Sequence, residues 1–339
     1  MQVNKVFAVL LAALLLSGCV QQPAPLVADV TPLRCEPVRE SAQAEEPATV
    51  PVTYPVVSGI QQEAQALPAE PALVHSATCV AAGELVKEND EAAIDYSNTA
   101  DGYVMVCYTA ETERRLKAQV KGPGATYTYN LTPGKWAAFP LSDENGTYKI
   151  TVYENVQGNQ YATVLSLTVD VTMENEFAPF LHANQYVDFD AAPAAVAQAD
   201  RLCLGLDPLE KVAAVYDFVV KGMIYDRELA ATVRSGYVPD LDRVLEKMSG
   251  ICFDYAALMT GMLRSQGVPC KLVIGYAGDV YHAWISVWSE QTGWIEGILF
   301  FDGVNWQRMD PTFASSAQDD PAILDYIGDG SHYSAKYIY

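Results

Sequence analysis

From about Ala77 to Met173 apolar and polar residues alternate with a period near two, in short runs broken by turn residues. Residues 92–96, 103–108, 116–120, 126–130, 136–139, 147–153 and 162–171 each have the pattern of a half-buried strand. Between them lie Gly122-Pro123-Gly124, Thr132-Pro133-Gly134 and Asp143-Glu144-Asn145-Gly146, whose residue types favour turns. From about Pro193 the period becomes helical. Asp207-Pro208-Leu209-Glu210 puts an acidic N-cap, a first-position proline and a third-position Glu in sequence, which predicts a helix to about Lys221 with Gly222 as its stop. A shorter helix is predicted over 241–247. A third begins at Cys252, carries Ala256, Leu258, Met259, Met262 and Leu263 on one face, and stops at Gly267-Val268-Pro269. Residues 271–276 then read as a buried strand, Gly278 as a turn and 280–288 as the next strand. After a hairpin region over 293–297 and 300–303, a third strand through Trp306 ends at Asp310-Pro311-Thr312.

Strands first and helices afterwards predict an α+β chain. About seven strands in about a hundred residues predict a β-sandwich over 77–175, followed by an α+β domain over 180–339. The strand opening Gly146-Thr147-Tyr148 resembles the tyrosine corner of immunoglobulin-like domains. The sandwich segment contains no His and its acids are scattered in turns, so it suits a spacer or partner-binding module, or a body packed against the next domain.

Upstream the pattern changes twice. Lys5 precedes an apolar run over 6–16 that is too short to span a bilayer as a helix and has the shape of a signal segment over 1–19. Its end, Leu16-Ser17-Gly18-Cys19, resembles the lipobox of bacterial lipoproteins, which implies that Cys19 carries the lipid and holds the protein on the outer face of the membrane. Residues 20–75 are rich in Pro, Ala, Val, Gln and Glu, the composition of a disordered tether, with a root-mean-square span of roughly 40 Å.

Charge narrows the partners. Asp and Glu outnumber Lys and Arg by 42 to 21, a formal charge of −21 that repels nucleic acid and other polyanions. Seven cysteines less Cys19 leave six. Cys79 and Cys107 both fall in the sandwich and could bridge two strands, whereas Cys35, Cys203 and Cys270 have no evident partner.

Cys252 stands at a helix start, where unpaired N–H groups and the helix dipole favour a thiolate. The helix it opens is about fourteen residues, roughly 21 Å, so a strand returning along it brings His282 near the helix start, while Cys270 falls at the far end. An acid at Asp310 can accept from the imidazole N–H. Cys252, His282 and Asp310 then have the roles of nucleophile, general base and orienting group.

Several further residues complete the pattern: Gly250, Asp254-Tyr255-Ala256, Arg264 with Gly267-Val268-Pro269, Gly275-Tyr276, Ala283-Trp284 and Trp306. Over roughly 209–313 the chain resembles the transglutaminase-like superfamily, with its papain-like thiol fold. Cys270-Lys271 departs from it, standing where a small residue and Arg are frequent. The resemblance implies a Cys252–His282–Asp310 triad acting on peptide or amide bonds through a thioester, and an oxyanion held by the Cys252 N–H with Tyr225 as second donor. No metal-ligand cluster or nucleotide-binding loop appears in the sequence, and no cofactor and no metal are expected. Trp284 and Trp306 are expected in the core. The substrate is expected to be a protein or peptide, such as a cell-wall peptide, with water as acceptor in a peptidase or amidase. The alternatives are an amine acceptor, as in a cross-linking transglutaminase, and an inactive adhesion lipoprotein. Whether the segment 227–240 caps the Cys252 cleft is a question the sequence poses without answering.

Overall fold

Alternation becomes pairing in the first domain. The computed structural model describes residues 78–290, 293–295, 299–301, 306–308 and 333–339. Strands β1 (Val86–Glu88), β2 (Ala92–Asp95), β3 (Tyr103–Tyr108) and β6 (Ala137–Pro140) form one four-stranded sheet in the order β1-β2-β3-β6. Strands β4 (Leu116–Lys121), β5 (Thr126–Leu131), β7 (Gly146–Gln157) and β8 (Gln160–Val171) form another in the order β5-β4-β7-β8. All pairings in both are antiparallel. Every second residue turns inward: Leu116, Ala118 and Val120 from β4, Tyr127, Tyr129 and Leu131 from β5, and Tyr148, Ile150 and Val152 from β7 are buried in one core with Val104, Val106 and Phe139. The Tyr148 hydroxyl donates to the Glu144 carbonyl at 3.1 Å, closing the entry to β7. The β4–β5 turn is held by Asp143, which accepts from the Gly124 and Ala125 N–H groups and from the Tyr127 hydroxyl. Strand β1 has no counterpart among the predicted strands, and its three residues are all exposed.

The Cys79–Cys107 bridge that the sequence left open is not formed: both are thiols, Cys107 within β3 and Cys79 ahead of β1 with its sulfur directed at the Ala183 carbonyl.

In the second domain α1 (Pro193–Cys203) precedes α2 (Pro208–Gly222), and their separation into two helices was not visible in the period alone. The predicted cap of α2 is complete: Asp207 accepts from the Leu209 and Glu210 N–H groups, and Glu210 accepts from the Asp207 N–H. Gly222 ends the helix from within, and Met223 is the capping residue. Then follow β9 (Ile224–Tyr225), α3 (Arg227–Thr232), α4 (Leu241–Lys247), β10 (Ser249–Gly250) and α5 (Cys252–Ser265). Helix α5 is buried along its whole length, which explains why its sequence is apolar beyond one face. It packs on β11 (Cys270–Ala277) and β12 (Val280–Ser289), the central strands of a sheet ordered β13-β12-β11-β16, with β13 (Gly293–Ile295) and β16 (Tyr333–Ile338) at its edges. Strands β14 (Leu299–Phe301) and β15 (Trp306–Arg308) pair separately.

The two domains are joined by contact as well as by chain. Gln185 exchanges two hydrogen bonds with the backbone of Asn130 on β5, at 3.0 and 2.7 Å, and the Tyr186 hydroxyl donates to the Thr128 carbonyl at 3.3 Å. The Tyr129 ring lies 5.8 Å from both Tyr186 and Tyr339, and Tyr186 lies 5.7 Å from Phe253, the neighbour of Cys252. Such pairs add about 0.5–1.5 kcal/mol each beyond the area they bury. The first domain is therefore packed against the second through these contacts.

Candidate active site

The approach to Cys252 is built from two short strands. β9 and β10 pair in parallel, setting Tyr225 opposite Gly250, and the Asp226 N–H donates to the Gly250 carbonyl at 2.9 Å. Gly250 is required by a close approach: a Cβ there would meet the Cβ of Asp254 at 2.5 Å and its Oδ2 at 2.7 Å. Asp254 in turn accepts from the Ile251 N–H at 2.8 Å, closing the first turn of α5 from inside because Ile251 has no side-chain acceptor of its own. Its other oxygen accepts from the Tyr237 hydroxyl at 2.7 Å. Burial raises the Asp254 pKa, and the nearby Asp226 charge raises it further; the hydrogen bonds from Ile251 and Tyr237 and the Arg243 charge act the other way. Tyr237 is itself pushed up by burial and by the Asp254 charge.

Cys252 is the first residue of α5 and is fully buried. The far end of the helix is tied to the start of β11 by Arg264, whose Nε donates to the Cys270 carbonyl at 2.8 Å. β11 runs back along the helix and Gly278, with φ of 60°, turns the chain into β12. His282 pairs with Gly275 in register, and the five steps from Cys270 to Gly275 cover roughly 17 Å of return. The start of β12 and the start of α5 thus lie at the same end of the domain. Tyr281, next to His282, has its hydroxyl pKa raised by burial, then by the surrounding tyrosines, then by the Cys252 charge. His282 is almost wholly buried, its ring 6.4 Å from that of Trp284. Trp284 is in the core as anticipated, against Tyr333. Gly275 carries no side chain because a Cβ there would fall on the Ser334 carbonyl oxygen of β16 and on the Trp284 ring.

Of the residues singled out in the sequence, Cys252 opens α5, Tyr225 pairs with Gly250 two residues before it, and His282 is near the start of β12, which packs on α5. Asp310 lies outside the described residues, as do Cys19 and Cys35, and the side chain of Trp306 is likewise not described. Cys270 sits at the opposite end of α5 from Cys252, as its position predicts; burial pushes its thiol up to about 12, and it donates to Thr260. Lys271, the departure from the family pattern, places its ammonium 3.7 Å from the Trp294 ring centroid and 5.2 Å from that of Phe180, a cation–π contact that fastens the linker to the sheet. The pairing of Tyr237 with Asp254 was missed. Asp254 was visible in the motif, but nothing within a few residues of it points to a tyrosine seventeen positions upstream.

Residues 198–311 match the model of the transglutaminase-like superfamily. A stretch of 68 residues is 31% identical to a protein-glutamine gamma-glutamyltransferase of Pseudomonas aeruginosa, covering 16% of this chain and only 10% of that protein's length. Among solved structures, a candidate cysteine protease from Cytophaga hutchinsonii is 13% identical with a TM-score of 0.35, covering 70% of this chain and 76% of its own. The periplasmic domain of TgpA from Pseudomonas aeruginosa, bound to ethylmercury, is 17% identical with a TM-score of 0.33, covering 71% of this chain and 78% of its own. The match to the transglutaminase-like superfamily thus covers about a third of this chain and falls within its second domain.

Proposed function

We propose that the protein is a thiol enzyme that cleaves peptide or amide bonds through a thioester acyl-enzyme. The observation that carries this reading is that Cys252 is the first residue of a buried helix and that β12, with His282 near its start, packs on that helix. The Cys252 sulfur attacks the amide carbonyl carbon, His282 takes the thiol proton and delivers it to the leaving amine, and Asp310 holds the imidazole. The Cys252 N–H and Tyr225, set beside Gly250, are the donors for the oxyanion. Water then attacks the thioester, releasing the acid and the thiol. The substrate is a peptide or protein, with cell-wall peptide the first class to try. Lipid on Cys19 and the 20–75 tether hold the enzyme on the outer face of the membrane. The sheet orders β1-β2-β3-β6 and β5-β4-β7-β8, with Tyr148 bonded to Glu144, support an immunoglobulin-like reading of the first domain, and its aromatic seam supports a buttressing role.

An amine acceptor in place of water is the second reading, favoured by the short similarity to a protein-glutamine gamma-glutamyltransferase. The test incubates the protein with a Gln-containing peptide and a labelled amine. Peptide cleavage that disappears in Cys252→Ala and falls by about 10³-fold or more in His282→Ala is the expected result. Amine incorporation without cleavage would replace hydrolysis by transfer. No turnover of any peptide, with Cys252 alkylated no faster than in His282→Ala, would leave the adhesion reading.

A further inference from the structure

The segment that joins the two domains touches both the edge of a first-domain sheet and the first turn of α5. Residues 184–187 form a tight turn: the Asn184 and Val187 backbones exchange hydrogen bonds at 3.2 and 3.0 Å, and the Asn184 side chain accepts from the Tyr186 N–H at 3.0 Å. On one side this turn is fastened to β5, an edge strand, by the Gln185 amide on the Asn130 backbone and the Tyr186 hydroxyl on the Thr128 carbonyl. On the other, Val187 and Phe189 lie against the middle of α5, each 3.6 Å from where a Cβ on Gly261 would stand. The Tyr186 ring sits between the two. It is stacked on Tyr129 of β5 at 5.8 Å, and stands 4.7 Å from Tyr339 and 5.7 Å from Phe253. Phe253 follows Cys252 in the first turn of α5 and is buried, so in a close-packed interior its ring and its backbone shift together. The same neighbourhood reaches the thiol, because charges on Tyr186 and on Cys252 both raise the Tyr281 hydroxyl, after burial and the charges of Tyr337 and Tyr276.

We propose that Tyr186 is a positioning residue for Cys252, its ring transmitting the seat of the joining segment on β5 to the first turn of α5. The location of the Cys252 sulfur relative to the helix N–H groups and to His282 is then set in part from the first domain, which takes part in the reaction without touching substrate. Ile251 brings no side-chain acceptor to the helix start, so the first turn depends on Asp254 and on packing for its place. The proposal rests on Cys252 being the nucleophile, and it names what holds that residue in position.

The test is the pH profile of Cys252 alkylation by iodoacetamide, followed by mass spectrometry of the Cys252 peptide. The midpoint of that profile reports the surroundings of the sulfur, whereas a change in access scales the rate at every pH alike. Tyr186→Ala removes the ring beside Phe253 and should raise the midpoint by about one pH unit, a roughly tenfold smaller thiolate fraction below it. Tyr186→Phe keeps the ring, loses only the bond to Thr128, and should return most of that shift. A Phe variant displaced as far as the Ala variant would overturn the role given to the ring. Gln185→Ala frees the segment from Asn130 with every ring in place; it should move the midpoint the same way by less, and serves if Tyr186→Ala folds poorly. Val104→Ala, in the core of the first domain, is the control for a merely structural effect: it should lower the urea midpoint and leave the alkylation midpoint where it was. An unmoved midpoint in both Tyr186→Ala and Gln185→Ala overturns the proposal, as does an equal shift in Val104→Ala. His282→Ala separates this idea from the catalytic reading. If it shifts the profile while the Tyr186 and Gln185 variants do not, the activated thiol stands and the positioning role falls. If Tyr186→Ala shifts the profile and His282→Ala does not, the positioning of the thiol stands and the catalytic reading falls.

Discussion

The two ends of α5 carry the same residue types under opposite rules. At the start, Cys252 follows a glycine stripped of its side chain, and the helix is closed by a carboxylate that shares its second oxygen with a neighbouring turn. At the finish, Cys270 packs beneath Arg264, a fully buried guanidinium that donates to the carbonyls of Cys270, His182 and Tyr339 at 2.8, 2.7 and 2.6 Å. Those acceptors come from β11, from the segment joining the domains and from the residue after β16, so one side chain closes three chain segments around the helix end. Burial lowers the Arg264 pKa to about 10, which still leaves it charged at neutral pH. One end of the helix anchors three chain segments, and the other is closed by a single carboxylate that accepts from two donors. The thiols follow the same division. Burial pushes Cys270 and Cys79 up to about 12 and Cys203 up to about 11, which disfavours the thiolate at all three.

The comparison can be broken most severely from the anchor end. Arg264→Met should cost about 3–5 kcal/mol in denaturant unfolding, because it leaves buried carbonyls on three segments without their donor. A loss below about 1 kcal/mol would mean that the finish of α5 is no more constrained than its start. Gly250→Ala acts at the other end: its Cβ would overlap Asp254, so the helix start must shift. Its unfolding free energy should fall by about 1–3 kcal/mol, and Cys252 alkylation and any turnover should suffer far more than that loss implies. Equal damage to stability and reactivity would erase the distinction between the ends.

The smallest effect is a pH dependence at Asp254. Its folded pKa is raised, so the folded state binds the proton more tightly than the unfolded one. The stability it contributes is present below the ordinary carboxylate range and is lost as pH rises through the raised value. The stability of the wild type relative to Asp254→Asn should therefore decline with pH across that window, as read by urea midpoints. A rising difference would mean that the bonds from Tyr237 and Ile251 outweigh burial.

Local interactions were legible in the chain. The Asp207–Glu210 box, the alternation of β4 and β5, the start of α5 at Cys252 and the extent of β12 all depend on neighbours within a few positions. So does the Tyr148 closure, made to a carbonyl four residues away. The placement of His282 followed from a helix length and a strand length that the sequence itself specifies. The mixed α and β composition and the elements that carry Cys252 and His282 could be reached this way because backbone hydrogen bonding and hydrophobic period are near-neighbour properties.

Only the tertiary structure decided what lies far apart in the chain. Strand β16 pairs with β11 from about sixty residues downstream, and a glycine at 275 makes room for it. The Arg264 guanidinium gathers carbonyls from 82 residues upstream and 75 residues downstream. The same holds for the aromatic seam from Tyr129 through Tyr186 to Phe253, which packs the first domain against the second. Neither a tyrosine in a turn nor an acid in a helix start announces that the two will meet. Burial selects such partners by shape and by the cost of leaving a polar group unsatisfied, and that cost exists only once the chain has closed around them.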